Sequence, residues 1–139
     1  MELDDALAAA GATHQSVLTT IRRDGRPQLS NVVHALGGDG VIRVSTTADR
    51  AKYHNLVREP WAALKVDGKS FWSYAVIEAE VSLSEVAAGP HDATVDELVE
   101  LYRSISGEHP DWEDYRRAMV ADRRVVIRLN PTRAYGALR

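Results

Sequence analysis

The chain has 139 residues, enough for one domain around one core. Hydrophobic residues make up 45% and charged residues 27%, and the net charge of -3 creates no global field to attract nucleic acid. With no cysteine, the sequence excludes disulfides, a thiolate nucleophile, zinc knuckles and iron–sulfur centres. In chain order, Leu3, Ala6, Leu7 and Ala10 repeat at helical spacing, and Gly11 predicts the helix stop. Glu2, Asp4 and Asp5 precede this short apolar stretch without a Lys or Arg, unlike a secretory signal. No run approaches the ~18 apolar residues of a spanning helix, and the chain reads as cytoplasmic, with no membrane partner.

Ser16 to Arg22 is rich in β-branched residues and predicts a strand. Asp24-Gly25 is a strong hairpin signal, so a second strand is expected over Gln28 to Leu36. The Gly37–Gly40 turn leads to a third strand over Val41 to Ser45, which completes an antiparallel meander. A short helix then interrupts the sheet and ends near Glu59, because Pro60 disfavours helical geometry before it. Trp61 to Asp67 and Ser70 to Ser84 predict the fourth and fifth strands around a turn at Gly68-Lys69. Two helices follow, over Thr94 to Ser106 and Asp111 to Ala121. The first carries an apolar stripe of Val95, Leu98, Val99, Tyr102 and Ile105; the second is capped by Asp111. Arg124 to Leu129 is a core strand. Asn130-Pro131 is expected to bend the chain before one more short strand over Thr132 to Tyr135. The fold class is mainly β with helices, a single domain over residues 1–139. Its six or seven antiparallel strands close into a small barrel, and closure removes exposed sheet edges.

The sequence lacks a G-x-S-x-G elbow, a P-loop, a G-x-G-x-x-G after a strand and an H-E-x-x-H motif. The five histidines do not pair with another ligand at metal-site spacing, so no metal is expected. Glu78 and Glu80 alternate on a strand and read as a solvated face rather than an acid/base pair. If this is an enzyme, a cofactor carries the hard chemistry.

Three separated stretches have the residue types to hold a phosphorylated planar cofactor. In Ser45 to Pro60, a strand end offers Ser45, Thr46, Thr47 and Asp49 as caps, followed by Arg50 and Lys52 in the first helical turn. Cations there oppose the helix dipole, whereas an anion bound to the free N–H groups is favoured by it. The competing reading leaves both cations simply facing water. Gln28, Ser30 and Asn31 can donate to and accept from a heterocycle edge. Trp72, Ser73 and Tyr74 put two aromatics around a serine, although ordinary core or interface aromatics are the alternative.

Gly25 to Asn31 (GRPQLSN), Arg50 to Leu56 (RAKYHNL), Trp72 to Ala75 (WSYA) and Asp111 to Val125 (DWEDYRRAMVADRRV) appear in this order. Together they resemble the split β-barrel flavin/deazaflavin oxidoreductases, specifically the pyridoxamine-phosphate-oxidase-like class that uses coenzyme F420. The resemblance runs from about Val17 to Tyr135. It implies an FMN-binding split-barrel fold and a homodimer with the cofactor in a groove at the interface. It matches Arg50, Ala51, Lys52 and Asn55 to the cofactor phosphate, with Ser45 and Thr46 beside them. Gln28, Ser30 and Asn31 match residues along the deazaflavin ring, and Trp72, Ser73 and Tyr74 a segment that closes the pocket, from either subunit. More loosely, Arg116, Arg117, Arg123 and Arg124 are candidates for an oligoglutamate tail or braces of the last strand. The implied activity is hydride transfer from reduced F420 to a small unsaturated or conjugated substrate, with Tyr74 as a candidate proton donor. FMN is the alternative cofactor. The NPTRAYGALR terminus lacks the further basic residues of true pyridoxamine phosphate oxidases. A non-catalytic F420 carrier is the reading from a different functional class.

Overall fold

The turn at Asp24-Gly25 joins β1 (Gln15–Ile21) to β2 (Pro27–Leu36), and Gly25 supplies the positive φ of 85° that the turn requires. Here the Arg22 amide donates to the Arg26 carbonyl at 2.8 Å and closes the hairpin. The computed structural model describes residues 1–139. After β3 (Ile42–Thr47) and α2 (Ala51–Arg58) come β4 (Trp61–Asp67) and β5 (Tyr74–Leu83), and after α3 (Ala93–Ser106) and α4 (Trp112–Ala121) comes β6 (Arg124–Ala137). The six strands close into an antiparallel barrel in the order β1-β2-β3-β6-β5-β4. The expected fold class is therefore present, with six strands rather than seven.

The missing seventh strand has a physical reason. Asn130-Pro131 does not break β6, because Pro131 lies at a bulge where the register against Glu78 and Ala79 shifts. The side chains of Asn130 and Thr132 donate to the Glu80 and Glu78 carbonyls at 3.2 and 3.1 Å, bridging the residue that has no N–H. A second correction concerns β5, which starts at Tyr74 rather than Ser70. Gly68 donates to the Ser73 carbonyl at 2.6 Å, so residues 68–73 fold into a turn. Phe71 and Trp72 stand at its exposed tip, and Trp72 and Ser73 are outside the strand.

The barrel interior is filled by Leu18, Ile42, Val44, Leu64, Val66, Ile77, Ile127 and Leu129. The α1 helix (Leu3–Gly11) adds Ala6 and Ala10 to this core and α2 adds Leu56. His34 is fully buried beneath α1. Its Nε2–H donates to the Ala10 carbonyl at 2.9 Å, which leaves Nδ1 to accept from the Ser16 hydroxyl at 2.7 Å. This histidine is a satisfied core residue. A second, smaller core of Val95, Leu98, Val99, Met119 and Val126 seats α3 and α4 on the outside of the barrel. That explains the unbroken buried run Val125-Val126-Ile127, since β6 is covered on both faces here.

The α3–α4 pair is tied down by charge as well. Arg43 and Arg128 are direct cross-strand neighbours on β3 and β6, a repulsive arrangement by itself. Glu97 of α3 accepts from Arg43 Nε at 2.9 Å and from Arg128 Nε and Nη2 at 2.9 and 2.6 Å. These guanidinium bonds, led by Arg128, hold its carboxyl below the usual range. Asp92 and Asp111 cap α3 and α4, the second as the sequence predicts.

Candidate functional site

Strand β3 delivers Ser45, Thr46 and Thr47 to one end of the barrel, and Arg50, three residues later, is the N-cap of α2. No side chain caps this helix. The expected capping by Ser45, Thr46, Thr47 or Asp49 is not made, because the Thr47 hydroxyl donates to the Asp49 carboxylate instead. The first-turn amides of α2 therefore point outward. The helix is anchored from behind by Asn55, which is buried and donates to Thr20 Oγ1 at 3.1 Å and to Gln28 Oε1 at 2.9 Å. Arg58 adds a bond to the Ile21 carbonyl at 2.7 Å. These ties fix where the N-terminus points.

It points into a groove of about 540 Å³. One side consists of Asn31, Val32 and Val33 of β2, Ser45 to Thr47 of β3, and Arg50 and Lys52. The other side is the α3–α4 pair, through Leu101, Tyr102, Ile105, Ser106, Tyr115 and Met119, with Arg124 of β6 between the two. Neither Arg50 nor Lys52 forms a salt bridge with any carboxylate. Burial, followed by the nearby Arg50 charge, lowers the Lys52 pKa. Arg124 is similarly underused. Its Nη1 reaches Ser45 Oγ only at 3.4 Å, its Nε lies 3.7 Å from Asp122, and that buried Nε has no hydrogen-bond partner. A buried donor normally finds a partner, which Arg124 Nε lacks, and Arg50 and Lys52 have no carboxylate within salt-bridge range, so the three cations together suit an anionic ligand.

The groove thus gathers Asn31, Ser45, Thr46, Arg50 and Lys52 from the residues singled out in the sequence. Others lie elsewhere. Gln28 and Ser30 alternate with Asn31 along β2 and face the other way. Gln28 and Asn55 satisfy each other. Ala51 follows the N-cap and is exposed. Trp72, Ser73 and Tyr74 do not line the groove. A second hollow of about 410 Å³ shares Asn31, Val32 and Val33 with it and runs over β1 to Lys65 and Asp67. Tyr74 flanks that far end, with Lys65 Nζ 6.0 Å from its ring centroid. Of the four arginines assigned loosely to a tail, Arg124 alone lines the groove. Arg116 instead bonds the Pro90 carbonyl and Asp96, at 2.9 and 3.0 Å. Arg123 lies at the start of β6 with φ 53°. The α3–α4 side of the groove is absent from the sequence reading, because the Val95–Ile105 stripe looks like core and its far edge turns out to face the groove.

The fold and groove together define a split-barrel protein with a groove lined by Arg50, Lys52 and Arg124 at one end of the barrel. Residues 3–137 match the family of pyridoxamine 5'-phosphate oxidase, and the chain belongs to that family. Its structure is similar to that of a conserved hypothetical protein of Mycobacterium tuberculosis, Rv2991. The TM-score is 0.73 at 21% identity, over 96% of this chain and 82% of that one. A protein named an F420 reductase is similar at TM-score 0.62 and 25% identity, over 91% of this chain and 94% of that one. A pyridoxamine 5'-phosphate oxidase-related, FMN binding protein from Nostoc punctiforme matches at TM-score 0.60 and 14% identity, over 94% and 76%.

Proposed function

We propose that the protein is a coenzyme F420-dependent oxidoreductase that reduces a small unsaturated or conjugated molecule. The observation that carries this reading is the set of three cations, Arg50, Lys52 and Arg124, converging without adequate counter-charge on the uncapped start of α2. A phosphate at that point supplies what these groups lack. The similarity to an F420 reductase over nearly the whole chain supports a deazaflavin. When bound, such a cofactor supplies hydride chemistry, and the protein has to provide only orientation and a dry surface. Arg50, Lys52 and Arg124 hold the phosphate, with Ser45 as a further donor. Asn31 and the Val32–Val33 segment lie along the path from the groove to the second hollow.

We also propose a homodimer. Leu29, Val33 and Tyr135 are exposed large hydrophobics on the outer barrel face. The register Asn31–Val17–Lys65–Val76–Tyr135 puts them on the same side. Tyr74, two residues before Val76 on β5, lies on this same outer face. FMN is the second reading, because its single phosphate is served by the same cations and an FMN binding protein shares the fold. Oxidation of reduced F420 in the presence of a panel of unsaturated acceptors tests the proposal. Acceptor-dependent turnover is expected. Tight binding without turnover on any acceptor identifies a carrier instead.

A further inference from the structure

The groove presents two tyrosines, and they differ in one respect. The Tyr115 hydroxyl donates to the Leu98 carbonyl at 2.9 Å, and burial pushes its pKa up to about 12. That group is committed to holding α4 against α3. The Tyr102 hydroxyl makes no hydrogen bond within the chain, and the lone buried side-chain atom without a partner is Arg124 Nε, so this hydroxyl is accessible. The Tyr102 ring is nevertheless held firmly. It sits 5.1 Å from Tyr115, 5.2 Å from His109 and 5.6 Å from Trp112, centroid to centroid. Arg103 covers Trp112 from outside at 4.8 Å, and Trp112 Nε1 donates to Glu108 at 2.9 Å. A tyrosine with an accessible hydroxyl bonds water there until a ligand atom replaces it. One fixed by three aromatic neighbours with a free hydroxyl at a cleft is built as a preorganised donor.

We propose that Tyr102 hydrogen-bonds the planar ring of the molecule bound in this groove, with that ring lying against Ile105 and Met119. Tyr102 is then the specificity residue for the ring, as Lys52 is for the phosphate. This rests on the cofactor reading above, and the ligand class is a phosphorylated planar heterocycle carrying carbonyl acceptors.

The experiment is a two-by-two binding cycle with the full-length chain. Oxidised F420 and FMN are titrated by fluorescence into the parent, Tyr102→Phe, Lys52→Ala and the double variant. Thermal unfolding and near-ultraviolet circular dichroism monitor the ring cluster. Tyr102→Phe is expected to weaken binding about five- to tenfold in both backgrounds, with an unchanged melting temperature, since one neutral hydrogen bond is lost. Independent action at two ends of one ligand makes the two losses multiply. Binding within twofold of the parent overturns the assignment to Tyr102 and leaves the cofactor reading standing. Loss that appears only together with altered circular dichroism overturns it as well, by making the effect structural. If the parent binds neither F420 nor FMN, the cofactor reading fails and the assignment with it.

Discussion

Replacing Lys52 by Ala separates ligand binding from folding. In the free protein Lys52 has no carboxylate partner, is partly buried, and sits beside Arg50, so its charge is held at some cost. Removing it relieves repulsion in the empty groove and breaks no hydrogen bond in the chain. Stability is therefore expected to stay within about 0.5 kcal/mol of the parent or to rise. Binding is a different matter. A charge-assisted bond to phosphate contributes about 1.5–3 kcal/mol, or roughly a 10- to 150-fold change in Kd. Cofactor titration followed by fluorescence reads the second quantity, and urea unfolding reads the first. Unchanged affinity would remove Lys52 from the site. Weaker binding accompanied by an equal loss of stability would show that the residue is structural.

Other perturbations probe the frame. Glu97→Gln leaves Arg43 and Arg128 side by side with a weaker acceptor. Glu97 is only 18% exposed, so the unfolding free energy should drop by about 2–3 kcal/mol; a drop below about 0.5 kcal/mol in denaturant titration would show that the clamp is idle. Gly136→Ala drives a Cβ into the Tyr74 carbonyl oxygen at φ +141°. A loss of about 2–4 kcal/mol is expected in the same assay, and a neutral result would contradict the close β5–β6 approach. The burial-depressed pKa of His34, below its usual 6.5, means the unfolded chain takes up a proton the folded chain refuses. Stability is thus complete above about pH 6.5 and falls as pH drops towards the folded value. Glu97 and Asp39 are also depressed, Asp39 to about 2 by the Arg43 guanidinium, and they add a second loss below about pH 4.5. A denaturation midpoint that stays flat between pH 7 and 5 would refute the role given to His34.

Much of the fold is legible in the sequence because local chemistry and tertiary context agree. Asp24-Gly25 makes a hairpin, Asp111 caps its helix, and the Val95–Ile105 stripe lies on one helix face. The misreadings arise where tertiary contacts override local preference. Phe71 and Trp72 have strand propensity, yet the Gly68–Ser73 turn leaves them exposed at a tip. Pro131 looks like a breaker, yet a bulge and two side-chain donors carry β6 past it. The cation-lined end of the groove is readable, because cations at a helix start are a local signal. The opposite side is not, since residue type alone does not tell which edge of an apolar helix faces a cleft. The same limit applies to Gln28 and Asn55, whose amides suit a ligand but bond each other in the fold.

Arg50, Lys52 and Arg124 are proposed to hold the phosphate of a deazaflavin. Side-by-side equilibrium binding of oxidised F420 and FMN to the purified protein tests this most directly. Tight F420 binding and weak FMN binding are expected, with both lost on neutralising the three cations. Preference for FMN would contradict the deazaflavin assignment, and binding of neither would contradict the anion site itself.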